Sequence, residues 1–222
     1  MLAADESSPT IKKRFDTIQV ESTEEKRRRY REILFTTQGI ERNIGGVILF
    51  EETLRQSTQD GIPFARLLAN RGIIPGIKVD KGAKALALYP GDQIAEGLDG
   101  LRERLAEYKQ LGARFAKWRA VIEIDEHKIP STYAIRANAH GLARYAALCQ
   151  EIDLVPIVEP EVLMDGAHNI ERCEVVTAQV LEAVFAELDA HRVVFEGMLL
   201  KPNMVIPGKK CEQQANARQV AE

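Results

Sequence analysis

The sequence predicts an α/β fold with a parallel sheet, on two observations. Apolar runs that stop at charged residues recur six times, and segments of helical periodicity lie between them. A third observation concerns size. At 222 residues, 45% hydrophobic and 28% charged, the chain has the composition of one globular domain able to bury a sizeable core.

The elements follow in chain order. Leu2-Ala3-Ala4 is a short apolar run stopped by Asp5-Glu6. Thr23 to Leu34 reads as a helix, with Ser22 or Thr23 as its cap and Glu24-Glu25 at the positive end of its dipole. Gly45 to Phe50 is the second run, stopped by Glu51-Glu52, and Ile73 to Ile77 the third, stopped by Lys78 with Asp80 and Lys81 beyond. Ile94 to Leu111 carries Leu98, Leu101, Leu105 and Tyr108 at helical spacing, which predicts a second helix. Phe115-Ala116 leads to Lys117-Trp118-Arg119. Ser131 to Cys149 repeats the helical stripe with Ala134, Leu142, Tyr145 and Leu148. Leu154 to Val158 stops at Glu159-Pro160-Glu161, and Cys173 to Leu188 follows as a helix built on Val176, Val180, Leu181 and Val184. The sixth run, Val193 to Leu200, reads as a strand buried on both faces and ends at Lys201-Pro202-Asn203.

Charged residues at the C-terminal ends of successive parallel strands converge on one rim, where barrel enzymes keep their chemistry. The expected architecture is a (β/α)₈ TIM barrel of which about six βα units are present. Residues 1–222 are expected to form a single domain truncated at both ends, with a helix beginning near Ala217. An open set of six strands exposes edges at Leu2–Ala4 and Val194–Leu200, and such edges favour aggregation.

Lys201 is the most telling residue. Burying an isolated ammonium is costly, so a lysine ending a buried strand is either paired or held as the free amine that attacks carbonyls to form a Schiff base. A single such lysine more often caps a strand and faces water. Recurrence of the pattern along the chain favours chemistry.

Composition excludes several classes. The net charge of −3 leaves no global basic field for nucleic acid, and no apolar run approaches the ~20 residues of a membrane span. The cluster Lys26 to Arg29 lies beside Glu24, Glu25 and Glu32 and reads as a solvated face. Three cysteines without short ligand spacing suit reduced thiols. His127, His140, His168 and His191 form no HxH or HExxH signature, so a catalytic metal is not expected, although folding could still bring ligands together. Neither GxxxxGK[ST] nor GxGxxG occurs, and no cofactor is expected.

Six segments carry a resemblance: Leu2 to Ser7, Gly45 to Phe50, Gly76 to Gly82, Phe115 to Arg119, Val155 to Glu161 and Leu199 to Met204. In order and approximate spacing they resemble class I fructose-bisphosphate aldolase over essentially the whole chain. The resemblance implies a metal-independent carbon–carbon lyase of glycolysis and gluconeogenesis. Its substrate is a phosphorylated sugar, fructose 1,6-bisphosphate, cleaved to dihydroxyacetone phosphate and glyceraldehyde 3-phosphate. It also implies a cytoplasmic homotetramer, with a plastid location open if an upstream transit peptide has been lost. Neither a membrane nor a nucleic acid is an implied partner.

By position, the resemblance makes Lys201 the imine-forming lysine and Glu159 the acid/base for its carbinolamine. Asp5 becomes the carboxylate that takes the C4-hydroxyl proton, Lys117 its neighbouring cation, and Glu161 a supporting charge. Lys78 and Arg119 match residues that grip the phosphate remote from the ketone, and Thr10, Lys13 and Arg14 fall in a loop that closes on substrate. The physical chemistry agrees. Arginine suits bidentate phosphate binding, lysine acts as a point charge, and three carboxylates on one rim can divide acid and base roles.

Residue-level alternatives stand beside these roles. Asp5 could cap the following helix, Glu159 and Glu161 could form structural ion pairs with Lys117 or Lys201, and Trp118 suits a core. In the family, strand seven, strand eight and a C-terminal tyrosine complete the ketone-side phosphate site and proton transfer, and none matches a segment here. The competing expectation is therefore a non-catalytic aldolase fragment serving as a structural or interaction protein. A transaldolase-like lyase fits less well, because Lys78 and Arg119 read as phosphate ligands.

Overall fold

The computed structural model describes residues 1–125 and 129–221. Two compact units are present. One comprises Met1–Val79, Arg102–Lys117 and Ile152–Leu154; the other comprises Asp80–Leu101, Trp118–Glu151 and Val155–Glu222.

In the first unit, β1 (Leu2–Ala4) leads to α1 (Ser8–Thr17) and α2 (Glu24–Thr36). Helix α1 buries Ile11 and Phe15, one turn apart, and has proline near its start, where the missing N–H costs nothing. Thr23, rather than the alternative Ser22, caps α2 by accepting the Lys26 N–H at 3.3 Å. Strand β2 (Gly46–Leu49) is buried along its whole length, and two short helices follow, α3 (Glu51–Arg55) and α4 (Phe64–Asn70). Phe64 meets Phe35 edge-to-face at 5.3 Å. Strand β3 (Ile74–Lys78) pairs in parallel with β2, and β2 with β1.

In the second unit β4 (Ala83–Ala85) and β5 (Gln93–Ala95) form a hairpin, and the end of β5 takes up the first two residues, Ile94 and Ala95, of the segment expected to be helical. The helix itself, α5 (Leu101–Gln110), begins only at Leu101, and from Arg102 onward belongs to the first unit. Gly97 at φ 125° and Gly100 at φ 64° stop any earlier helix, since both lie outside right-handed helical space.

Strand β6 (Phe115–Ile122) pairs through its first residues with β3, Lys78 opposite Lys117. Helix α6 (Thr132–Glu151) and strand β7 (Val155–Val162) are joined by Tyr145, whose hydroxyl accepts the Ile157 N–H at 3.1 Å and donates to the Ile157 carbonyl at 3.3 Å. The other face of Tyr145 stacks on Trp118, which is core rather than ligand. Helix α7 (Ile170–Ala190) is capped by Asn169 and buries Val176, Val180 and Val184.

The last strand is a correction. Val193 to Leu200 contains a 3₁₀ turn at Phe195–Gly197, and only Leu199–Leu200 forms β8, parallel to β7. Val194, Phe195 and Leu199 are exposed rather than buried on both faces. Glu196-Gly197 interrupts the run, which length and hydrophobicity alone could not reveal. A short helix, α8 (Ala217–Ala221), follows. The strand order is β1-β2-β3-β6-β7-β8, the parallel α/β arrangement expected. No described helix is long and apolar enough to cross a membrane.

Candidate active site

In the first unit Asp5 follows β1 directly and is held by its neighbours. Glu6 accepts Arg31 Nη1 at 2.5 Å and also pairs with Arg14, while Arg31 Nη2 donates to the Glu6 carbonyl at 3.0 Å. Arg31 is only 2% exposed, so this ion pair is sequestered from solvent and fixes the turn that carries Asp5. Lys117 Nζ donates to Asp5 Oδ2 at 3.0 Å, with side-chain exposures of 7% and 12%. Lys78 ends β3 beside Lys117 in the register. Lys78 and Lys117 are thus register partners on neighbouring strands, with the Asp5 carboxylate against Lys117.

In the second unit Glu159 is buried in β7, and its Oε1 accepts a hydrogen bond from Lys201 Nζ. The Lys201 backbone N–H donates to the Val158 carbonyl at 2.9 Å, which sets the lysine at the end of β8. Of the two states expected for Lys201, pairing is the one found. Its burial is not, because the side chain is 49% exposed. Asn203 accepts the Val162 N–H at 3.2 Å and donates to Thr177 Oγ1 at 3.1 Å, tying the segment after Lys201 to β7 and α7.

Glu161, also on β7, pairs with Arg119 Nε. Burial opposes the charge on Arg119. The hydrogen bond to Glu161, with the field of Glu161, Glu159 and Asp80, outweighs it and holds the guanidinium above its ordinary range. Buried Asp80 accepts the Arg119 N–H at 3.2 Å and the Gly82 N–H at 3.1 Å, so it organises backbone. Glu159 and Glu161 thus take different cations, Lys201 and Arg119.

The expected phosphate-closing loop is not a loop. Thr10, Lys13 and Arg14 lie in α1, where Thr10 meets Ser7 Oγ at 3.1 Å and Arg14 pairs with Glu6. The Lys26 to Arg29 cluster is only partly a solvated face. Arg27 binds Glu52 through two hydrogen bonds, and Arg28 pairs with Glu25 and Glu32. The cysteines are free, with Cys149 and Cys173 buried. Sequence reasoning passed over Glu6, Arg31, Asp80 and Asn203 as site-building residues. The signal available for each was a polar residue within or beside a motif, which does not distinguish support from solvation. His127 lies outside the described residues.

A parallel α/β sheet whose strands carry lysine–carboxylate pairs within them and just past their ends is of the barrel-enzyme type. The chain belongs to the class I fructose-bisphosphate aldolase family: the family model described as fructose-bisphosphate aldolase class-I matches residues 1–222. It is 60% identical over 222 residues to a probable fructose-bisphosphate aldolase class 1 of Xanthomonas campestris pv. campestris, covering 100% of this chain and 66% of that relative. Fructose-bisphosphate aldolase 6, cytosolic, of Arabidopsis thaliana is 54% identical over 215 residues, covering 97% of this chain and 60% of that protein. A solved Plasmodium falciparum fructose-bisphosphate aldolase, in complex with TRAP and a small-molecule inhibitor, superposes with a TM-score of 0.96. Its sequence is 53% identical, over 99% of this chain and 63% of that chain. The chain therefore spans slightly less than two thirds of these relatives, and the likeness supports the TIM-barrel fold class.

Proposed function

We propose that this chain carries the Schiff-base centre of an aldolase and that Lys201 is its nucleophile. The observation that carries this reading is the Lys201–Glu159 pair, a half-exposed amine just after β8 hydrogen-bonded to a buried carboxylate within the adjoining strand β7. As the free amine, Lys201 adds to the C2 ketone of fructose 1,6-bisphosphate. Glu159 donates the proton with which the carbinolamine hydroxyl leaves as water, giving a protonated imine.

The C3–C4 bond then breaks with its electron pair passing into the imine. Asp5 takes the C4-hydroxyl proton, so glyceraldehyde 3-phosphate leaves as the aldehyde. Lys117 steadies the Asp5 carboxylate until that transfer. Protonation at C3 and hydrolysis release dihydroxyacetone phosphate and restore the amine. Arg119, oriented by Glu161, and Lys78 are assigned to the remote phosphate, with Thr10, Lys13 and Arg14 supporting it from α1. Relatives named as aldolases and as cytosolic support a phosphorylated-sugar substrate and a cytosolic setting. Homotetramer assembly is part of the same reading.

The test is borohydride trapping with dihydroxyacetone phosphate, followed by intact-mass measurement and peptide mapping. One adduct on the Lys201 peptide, lost in Lys201→Met, is expected. Absence of an adduct from well-folded chain would overturn the reading for these residues and leave a non-catalytic structural or interaction role.

A further inference from the structure

Folding brings together three side chains that have no part in the proposed reaction: His140 on α6, and Glu187 and His191 at the C-terminal end of α7. We infer that they form a surface site for a divalent transition-metal ion of the zinc, nickel and copper class, clipping α6 to the end of α7. One donor atom from each residue lies within 4.8 Å of the others. His140 Nδ1 is 3.0 Å and His191 Nδ1 3.6 Å from Glu187 Oε2. Ligands bound to zinc at about 2.0–2.1 Å in a tetrahedron sit roughly 3.3 Å from one another, so these two separations bracket what an ion needs.

Donor chemistry fits as well. Two imidazoles and one carboxylate suit a borderline transition metal rather than calcium or magnesium, which prefer all-oxygen shells. Without an ion His191 Nδ1 donates to the Glu187 carbonyl oxygen at 2.8 Å; metal binding would replace that hydrogen bond and leave the ring proton on Nε2. The two rings meet edge-to-face with centroids 5.0 Å apart. Both turn toward the same carboxylate, and the half-exposed His140 leaves a solvent side for a water as fourth ligand. A site of this form has three protein ligands and an open position, and bridges two helices of the second unit.

Spacing along the chain hides the cluster. His140 is 47 residues from Glu187, so no short motif announces it. Glu187 and His191 are an i,i+4 pair, which places them on one helix face.

The experiment uses EDTA-treated chain titrated with zinc chloride by calorimetry, with cobalt(II) as a spectroscopic probe. Binding of one zinc ion per chain is expected, with visible cobalt absorption of four- or five-coordination. His140→Ala is the primary variant, because the side chain is half exposed and its removal spares the fold. It should weaken binding more than about tenfold, the loss that even an outer-shell change produces. His191→Ala should do the same, and zinc should raise Tm only in the unmodified chain. No saturable binding at millimolar zinc, or binding that survives His140→Ala and disappears in Cys211→Ser, overturns the inference.

Discussion

Lys201 and Glu159 show how a single pair can be read for chemistry or for structure, and substitution separates the readings. A structural pair would lose stability when Glu159→Gln removes its charge, with no particular effect on imine formation by surviving folded protein. As acid/base, Glu159→Gln should slow borohydride-trapped adduct formation by about 10²-fold or more at unchanged fold. Lys117→Met leaves Asp5 as a half-buried carboxylate without its main cation. It should cost about 3 kcal/mol, read from chemical denaturation, because breaking a buried pair leaves one charge uncompensated.

His168 carries a separate, pH-dependent signature. It is buried, its ring nitrogens make no hydrogen bond among the described residues, and burial, then Arg172, hold its pKa below the ordinary value. The unfolded chain therefore binds the proton more readily. The stability His168 contributes is fully present above about pH 6.5 and is lost as pH falls below it. Tm measured from about pH 7 down to 5 should drop in the native chain and drop less in His168→Gln.

Elements were legible where periodicity was long and unbroken. The helices α6 and α7 lie where their stripes predict them, α2 lies where its cap and acidic first turn do, and Tyr145, Val176 and Val184 are buried as expected. The early part of the Ile94 to Leu111 stripe misled because a period of 3.6 can be matched by chance over one turn. Positive φ at Gly97 and Gly100 then decides against a helix. Packing between β3 and β6 gives a sharp test at this scale. A Cβ on Gly76 would lie 2.1 Å from a ring carbon of buried Phe115, its partner in the register. Gly76→Ala should destabilise by about 1–3 kcal/mol, with partial rescue by Phe115→Leu, both read from denaturant midpoints. Asn169→Ala removes the cap that accepts the Arg172 N–H at 2.9 Å and should cost about 1 kcal/mol.

On the scale of the whole molecule, β1 and β8 stand at the two ends of the strand order, and Leu199 on β8 is 47% exposed. Unpaired strand edges with apolar side chains template association. This 222-residue chain should self-associate at micromolar concentration, and Leu199→Lys should shift it toward monomer in size-exclusion chromatography with light scattering. A native chain that stays monomeric with a sharp, cooperative melt would contradict that expectation.

The sequence by itself determined the fold class and the family, because apolar runs ending in charge and six spaced motifs are properties of the chain read in order. It also placed Asp5 and Lys201 directly after strands, whereas Lys117 and Glu159, expected where their apolar runs stop, lie inside β6 and β7. The resemblance set Lys117 beside Asp5, as found, but only the tertiary structure decided which cation each β7 carboxylate meets: Lys201 with Glu159, Arg119 with Glu161. It alone showed that Thr10, Lys13 and Arg14 sit on a helix, that Glu6 and Arg31 brace the turn at Asp5, and that His140 meets Glu187 and His191. Pairing across dozens of residues depends on strand register and helix rotation. Both are set by packing and leave no local mark in the sequence.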